Sequence, residues 1–239
     1  MKYTIITLND DRAFYKNLIR TRVRYDEIEM PAVDGRAADI DQELELRDLK
    51  WVGWENAKRG EMGVWLSNFD RWKLAAGMDE PLIVFEDDAM PHPGFNIYMD
   101  EIMEHLPSDW DFISLWVPDN QKQDYLYDIE FNENGEHIWT SRPWRTNETS
   151  KYRVANSNRV ALAFQGYGMV SLMYSPTGAA KLVDLARQTG LTGPVDCWIF
   201  QQAHTGRVQG YSCHPHFAHV VRYDNWEGIS HAQHTEKVK

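Results

Sequence analysis

Three carboxylates stand side by side at Glu86, Asp87 and Asp88, directly after the apolar run Leu82-Ile83-Val84-Phe85 that Pro81 introduces. Four apolar, partly β-branched residues behind a proline predict a buried strand, which places the acids at a strand end. Adjacent carboxylates repel one another unless water, a proton or a cation intervenes, and hard divalent cations prefer such oxygen ligands. In a sheet flanked by helices, ligands bind at the carboxyl ends of the strands. The pattern points to metal-assisted chemistry on a phosphate-bearing substrate, with Mg2+ or Mn2+ as the cation. Against it stands a metal-free tip, in which one acid caps the helix near Pro93 or pairs with an arginine.

Other chemistry-bearing residues are scattered along the chain. Asp196 follows Gly193-Pro194-Val195 and precedes the apolar Cys197-Trp198-Ile199-Phe200, so it stands at a helix start. Its possible duties are a proton acceptor, a metal ligand or a helix N-cap. Asp34-Gly35 closes a second strand, where a ligand contact competes with an ordinary Asp-Gly turn. Arg12 can reach a diphosphate or ribose, or simply be solvated. Gln165-Gly166-Tyr167-Gly168 presents a glycine-flanked aromatic suited to stacking on a sugar, although the glycines also suit a tight strand entry. His214-Pro215-His216 with His219 has metal-like spacing, in a region where short histidine clusters are usually surface.

The elements that must position these residues alternate. A strand over 3–8 leads to a helix over 11–24 carrying Phe14, Leu18 and Ile19, then to a short strand over 28–32. Residues 39–50 are polar and fit either a surface helix or a loop. Met62, Trp65, Leu66, Phe69, Trp72 and Ala76 form one helical stripe closed by Gly77, and that helix feeds the acid-tipped strand. Pro93 opens another helix through Leu106, and a strand over 112–117 follows. Residues 118–160 are polar, aromatic and irregular, with a hairpin signal at Asn134-Gly135; such an insertion suits a binding loop. A strand over 169–174 then enters a helix with Ser175 as cap, Pro176 in its first turn and Gly190 at its end.

Composition sets bounds on this arrangement. A chain of 239 residues with 43% apolar content fills one core, so a single domain over 1–239 is expected, with 118–160 as an acceptor-side insertion and 201–239 as a C-terminal segment. Its 36 acids against 25 bases, a net charge of −11, provide no broad footprint for nucleic acid or anionic membrane. No window is apolar enough to span a bilayer or serve as a signal peptide, and two cysteines make no disulfide framework, so a reducing cytoplasm is expected. Most of the ten tryptophans and eleven tyrosines belong to the core, and the surplus suits stacking on sugar or base rings.

Six segments in order carry a resemblance: Ala32-Val33-Asp34-Gly35; Gly60-Glu61-Met62-Gly63-Val64-Trp65-Leu66-Ser67-Asn68 with Trp72; Phe85-Glu86-Asp87-Asp88; Asp111-Phe112-Ile113-Ser114-Leu115; Gly166-Tyr167-Gly168 to Ser175 with Gly178-Ala179-Ala180-Lys181-Leu182; and Pro194-Val195-Asp196. Each alone is weak, but the order and spacing over about the first 200 residues make the chain resemble glycosyltransferase family 25, the lipooligosaccharide and collagen galactosyltransferases. The resemblance implies an α/β, Rossmann-like αβα sandwich of the A-type glycosyltransferase fold. It also implies a UDP-sugar donor, galactose most often, with a divalent metal on the diphosphate, held by Glu86 and Asp88 and by a late histidine such as His216. The donor falls on Thr7, Leu8, Asn9, Arg12, Asp34, Gly35, Ser67, Asn68 and Asp87, and the acceptor on Gln165 and Tyr167. At position 68 the family's usual histidine is replaced by asparagine, which cannot titrate.

The expectation is an inverting hexosyltransferase with Asp196 as the base and the insertion choosing the acceptor. A glycan on a lipid carrier, a protein side chain and a modified nucleic-acid base are all open as acceptors. The rivals are a metal-dependent phosphoesterase or nucleotide-sugar hydrolase and an inactive carbohydrate-binding protein on the same scaffold.

Overall fold

A computed structural model describes residues 1–8, 12–55, 57–116 and 168–214, together with the backbone of strands at 128–131, 137–140, 149–151, 161–163 and 218–220. Its centre is a seven-stranded sheet in the order β2-β1-β3-β10-β5-β11-β9. In it β1 is Lys2–Ile6, β2 Asp26–Glu27, β3 Leu82–Glu86, β5 Phe112–Ser114, β9 Ala161–Ala163, β10 Ser171–Tyr174 and β11 Gly210–His214. Five strands run parallel; β10 runs against its neighbours β3 and β5, and β9 runs against β11. The alternation in the sequence accounts for the parallel strands. The reversal at β10 is not visible there, because an apolar strand looks alike in either direction.

Helices cover both faces of the sheet. On one face α2 (Ile40–Leu46), α3 (Arg59–Ala76), α5 (Pro176–Thr189) and α6 (Val195–His204) bury Ile6, Leu82, Val84, Leu172 and Tyr174. On the other, α1 (Ala13–Arg22) and α4 (Phe95–His105) bury Tyr3, Ile5, Ile83, Phe85 and Met173. The alternation of Leu82 and Val84 with Ile83 and Phe85 is the period of two of a strand buried on both sides. Trp65, Trp72 and Trp198 form one aromatic cluster in the first core, with ring centroids 5.2 to 5.7 Å apart. These three rings are therefore unavailable for stacking on a sugar.

The helix signals hold locally. Ser175 Oγ accepts the Gly178 N–H at 2.9 Å, Pro176 opens α5, and Gly190 closes it at φ +71°. Glu61 reaches back to the Lys58 N–H at 2.8 Å at the start of α3. The polar stretch at 39–50 contains α2, whose cap Asp39 accepts from Gln42 N at 3.2 Å.

Several strand boundaries depart from expectation: β1 ends at Ile6 and not Leu8, and β10 begins at Ser171 and not Met169. The second strand lies at Asp26–Glu27 and not at 28–32, because the backbone beyond Ile28 leaves the sheet: Pro31 has no N–H, and the Met30 and Pro31 carbonyls turn toward α3 to meet Arg71. The strand expected over 112–117 ends at Ser114.

The insertion has more order than expected. β6 (Asp128–Phe131), β7 (His137–Thr140) and β8 (Thr149–Lys151) form a separate antiparallel sheet, and β6 pairs with β7 across the Asn134-Gly135 signal. The end of the segment after β5 and the start of the approach to β10 stand together: a Cβ at Gly168, whose φ is +79°, would lie 2.5 Å from the Trp116 ring. After β11 the chain returns as β12 (Ala218–Val220), antiparallel to β4 (Ala89–Pro91), with His219 opposite Met90.

Candidate functional site

The acidic tip lies where four segments meet. β3 ends at Glu86, in register with Ile6 of β1. The Glu86 N–H donates to the Val170 carbonyl at 2.9 Å, so the entry to β10 sits beside the acids. β4 begins one residue after Asp88 and carries β12 across from the C-terminal segment. Arg12, at the entrance of α1, places Nη1 2.5 Å from Asp87 Oδ1 and 3.5 Å from Asp88 Oδ2.

That arginine is not enough to neutralise the tip. Burial raises the Glu86 carboxyl well above the usual range, and the charges of Asp88, Asp87 and Asp196 raise it further while Arg12 opposes them. Burial also raises Asp88, against the pull of Arg12. Asp196 is thus within electrostatic reach of Glu86 although 110 residues separate them in sequence. The N-cap of α6 is Pro194, so Asp196 is not the cap; it lies in the first turn, where its Oδ1 accepts the Cys197 N–H at 2.8 Å.

A cation fits the tip in one respect: Asp88 Oδ1 is buried with no hydrogen-bond partner, an orphaned acceptor of the kind hard divalent ions use. Among the described residues no three His, Cys, Asp or Glu side chains converge closely enough to hold a metal. His216 lies outside the described residues; β12 pairs with β4 so that Val220 stands opposite Ala89, the residue after Asp88.

Beside the tip, a small, open, largely apolar cleft lies between the end of β1, the loop after β2 and the first turns of α3. Ile6, Leu8, Ala32, Val33, Arg36, Gly60, Val64 and Ser67 line it. Of the expected donor residues, Leu8 and Ser67 line the cleft directly. Ser67 Oγ also accepts the Val33 N–H at 2.8 Å, which fixes the opposite wall. Thr7 follows the lining residue Ile6, and Asn9 lies outside the described residues.

Asp34 is held by its neighbour. Arg36 Nε and Nη2 meet its two carboxylate oxygens at 2.9 and 3.0 Å, and Asp34 Oδ1 also accepts the Arg36 N–H at 3.0 Å. Gly35 supports the cleft from behind: a Cβ there would lie 1.8 Å from the Arg59 carbonyl oxygen. Asn68 is buried, donates to the Val64 carbonyl at 3.0 Å and is not among the lining residues; its Oδ1 has no hydrogen-bond partner. Gln165 and Tyr167 lie outside the described residues, although Gly168 next to them packs against Trp116.

The sequence reading passed over Arg36, and it quoted Ala32, Val33, Gly60 and Val64 as motif residues without giving them a contact. Arg36 directly follows Asp34-Gly35, so a basic residue two positions after a turn aspartate was the available signal. Arg71 carried no signal, since an arginine on a helix is ordinarily a solvated side chain.

The motif pieces pair in space. Gly63 of α3 faces the Val33 carbonyl, so the second piece packs on the first; a Cβ there would come within 2.5 Å of that oxygen. Lys181 Nζ meets both oxygens of buried Asp111 at 2.8 and 2.9 Å, and Gly178 lies against the Asp111 backbone, so the fifth piece packs on the fourth. No curated protein gives a significant match to the whole chain. The sequence model of glycosyltransferase family 25 (LPS biosynthesis protein) matches residues 4–199, a span that takes in the cleft, the acidic tip and Asp196. With that match over most of its length, the chain belongs to glycosyltransferase family 25 and is a glycosyltransferase.

Proposed function

We propose that the protein transfers a hexose, galactose being the family's usual one, from a UDP-sugar to a hydroxyl acceptor with inversion, on an A-type, Rossmann-like scaffold. The observation that carries this reading is the adjacency of an apolar cleft to a carboxylate tip at the carboxyl edge of one sheet. The nucleoside occupies the cleft against Leu8, Val33 and Ser67. The diphosphate extends toward Arg12 and the acids. Glu86 and Asp88, with a late histidine such as His216, would hold a divalent cation, which when bound offsets the charge that gathers on the departing diphosphate.

Asp196 accepts the proton of the acceptor hydroxyl as that oxygen forms its bond to the anomeric carbon. The bond from that carbon to the diphosphate breaks on the opposite face, and UDP leaves with the electron pair. The electrostatic reach of Asp196 to Glu86, which puts it near the acidic tip, supports this assignment. The acceptor enters from the side of the insertion, through the region of Gln165 and Tyr167.

Calorimetric titration with UDP and a panel of UDP-sugars, with and without Mn2+, tests the donor assignment. Metal-enhanced UDP binding that Asp88→Asn abolishes is the expected result, and no nucleotide binding under either condition overturns it. Asp196→Asn should leave nucleotide affinity intact while turnover falls by about 10²- to 10⁴-fold, the usual weight of a general base. A full rate in that variant removes Asp196 from the reaction.

A further inference from the structure

Arg71 has no exposure to solvent, and among the described residues it forms no ion pair with a carboxylate. Its helix neighbour Asp70 is taken by Arg47, at 2.6 and 2.9 Å. Burial lowers the guanidinium to about 10, which still leaves it charged at physiological pH. A buried cation without a counter-ion is expensive unless its donors are met. Here backbone carbonyls meet both Nη groups, while Nε is buried without a partner. Nη2 donates to Met30 O at 2.6 Å and to Ile5 O at 3.4 Å; Nη1 donates to Pro31 O at 2.9 Å and to Ser67 O at 3.3 Å.

These carbonyls belong to three separate segments, and each segment is a wall of the cleft. Ile5 precedes the lining residue Ile6 at the end of β1. Met30 and Pro31 precede Ala32 and Val33. Ser67 lines the cleft from α3. Among the described residues, no other side chain is seen holding backbone of all three walls at once. A planar fork with five donors suits this task; an ammonium has fewer donors and lacks the fixed spread.

We propose that Arg71 is a positioning residue of the donor cleft: by fixing these carbonyls it sets the width between β1, the 30–33 loop and α3, and thereby donor affinity more than the rate of transfer. This rests on the reading that the cleft holds the nucleotide. Arg71 touches neither the cleft's interior nor the acidic tip, so it works through Ala32, Val33 and Ser67.

The test compares Arg71→Met, Arg71→Lys and Arg47→Gln with the parent protein, by UDP calorimetry and by KM and kcat for the donor. Arg47 serves as a matched control, because it is a partly buried arginine that ties α2 to the same helix away from the cleft. If the parent binds no UDP, the donor reading itself fails, and that is seen before any variant is made. If the parent binds, Arg71→Met should raise Kd and KM by about tenfold or more and Arg71→Lys by less, with kcat at saturating donor within about threefold of the parent. Arg47→Gln should lose thermal stability with Kd unchanged. Affinity within twofold of the parent in both Arg71 variants overturns the proposal, as does an equal loss of affinity in Arg47→Gln. Should Arg71→Met fail to fold, Arg71→Lys decides alone: UDP affinity within twofold of the parent in that variant overturns the proposal.

Discussion

At the scale of single residues, the tip of β3 trades stability for a concentration of charge. Glu86 is raised by burial and by three neighbouring carboxylates, with only Arg12 pulling the other way. The sign follows from linkage: a carboxyl raised on folding binds its proton more tightly in the folded state, so it stabilises the fold at low pH. That contribution is lost as pH rises from the ordinary carboxylate value through the raised one. Each tenfold gain in proton affinity is worth about 1.4 kcal/mol. Glu86→Gln keeps the shape and removes the charge. Its melting temperature should therefore exceed the parent's at pH 8 and converge with it near pH 5, while transfer activity is lost. Thermal melts across pH check this, and a parent whose stability rises between pH 5 and pH 8 by as much as the variant's would contradict it.

At the scale of elements, Gly63 and Gly178 of the motif segments are contact points between segments, and their effects differ by location. A methyl at Gly63 meets the Val33 carbonyl oxygen, and a methyl at Gly178 meets the Asp111 backbone, at 2.5 and 2.2 Å. Backbone cannot yield as a flexible side chain can, so each alanine should cost about 1–3 kcal/mol through overpacking, partly offset by the better helix propensity of alanine. Only Gly63→Ala displaces a wall of the cleft. It should weaken UDP binding, whereas Gly178→Ala should lose a similar amount in denaturant melts with UDP affinity retained. Equal effects on affinity would mean that the cleft is not sensitive to its own wall.

At the scale of the whole molecule, a mostly parallel sheet delivers its functional residues to one edge, and two later excursions converge there. The segment that holds the insertion and β9 leaves after Trp116 and returns at Gly168, two residues before Val170 that pairs with Glu86, and the C-terminal segment returns as β12 onto β4. No helix among the described residues is long and apolar enough to cross a membrane, and the net charge is −11. Donor and acceptor functions should therefore separate physically. Replacing residues 120–158, which contain β6, β7 and β8, by a short Gly-Ser linker should preserve UDP affinity and remove acceptor-dependent transfer. Loss of UDP binding in that variant would make the insertion part of the donor site.

Much of the fold was legible in the sequence because its signals are local. The stripe from Met62 to Ala76 with Gly77 behind it, Ser175-Pro176 ahead of α5, and the apolar run stopped by Glu86-Asp87-Asp88 each report on backbone within a few residues. The acidic tip and the two halves of the cleft wall were named from such pieces. Long-range packing decided the rest. The reversed direction of β10 depends on which strands it meets, and the early end of β2 depends on Arg71 drawing the Met30 and Pro31 carbonyls away. The approach of Asp196 to Glu86, and the return of β12 to Asp88, depend on where distant segments stack. Sequence by itself determined which residues carry charge and where the longest helices and the acid-tipped strand form, since periodicity and capping act over single turns. Tertiary structure alone decided which charges face one another, since a buried guanidinium or carboxylate takes its partners from whatever the packed chain brings within hydrogen-bonding distance.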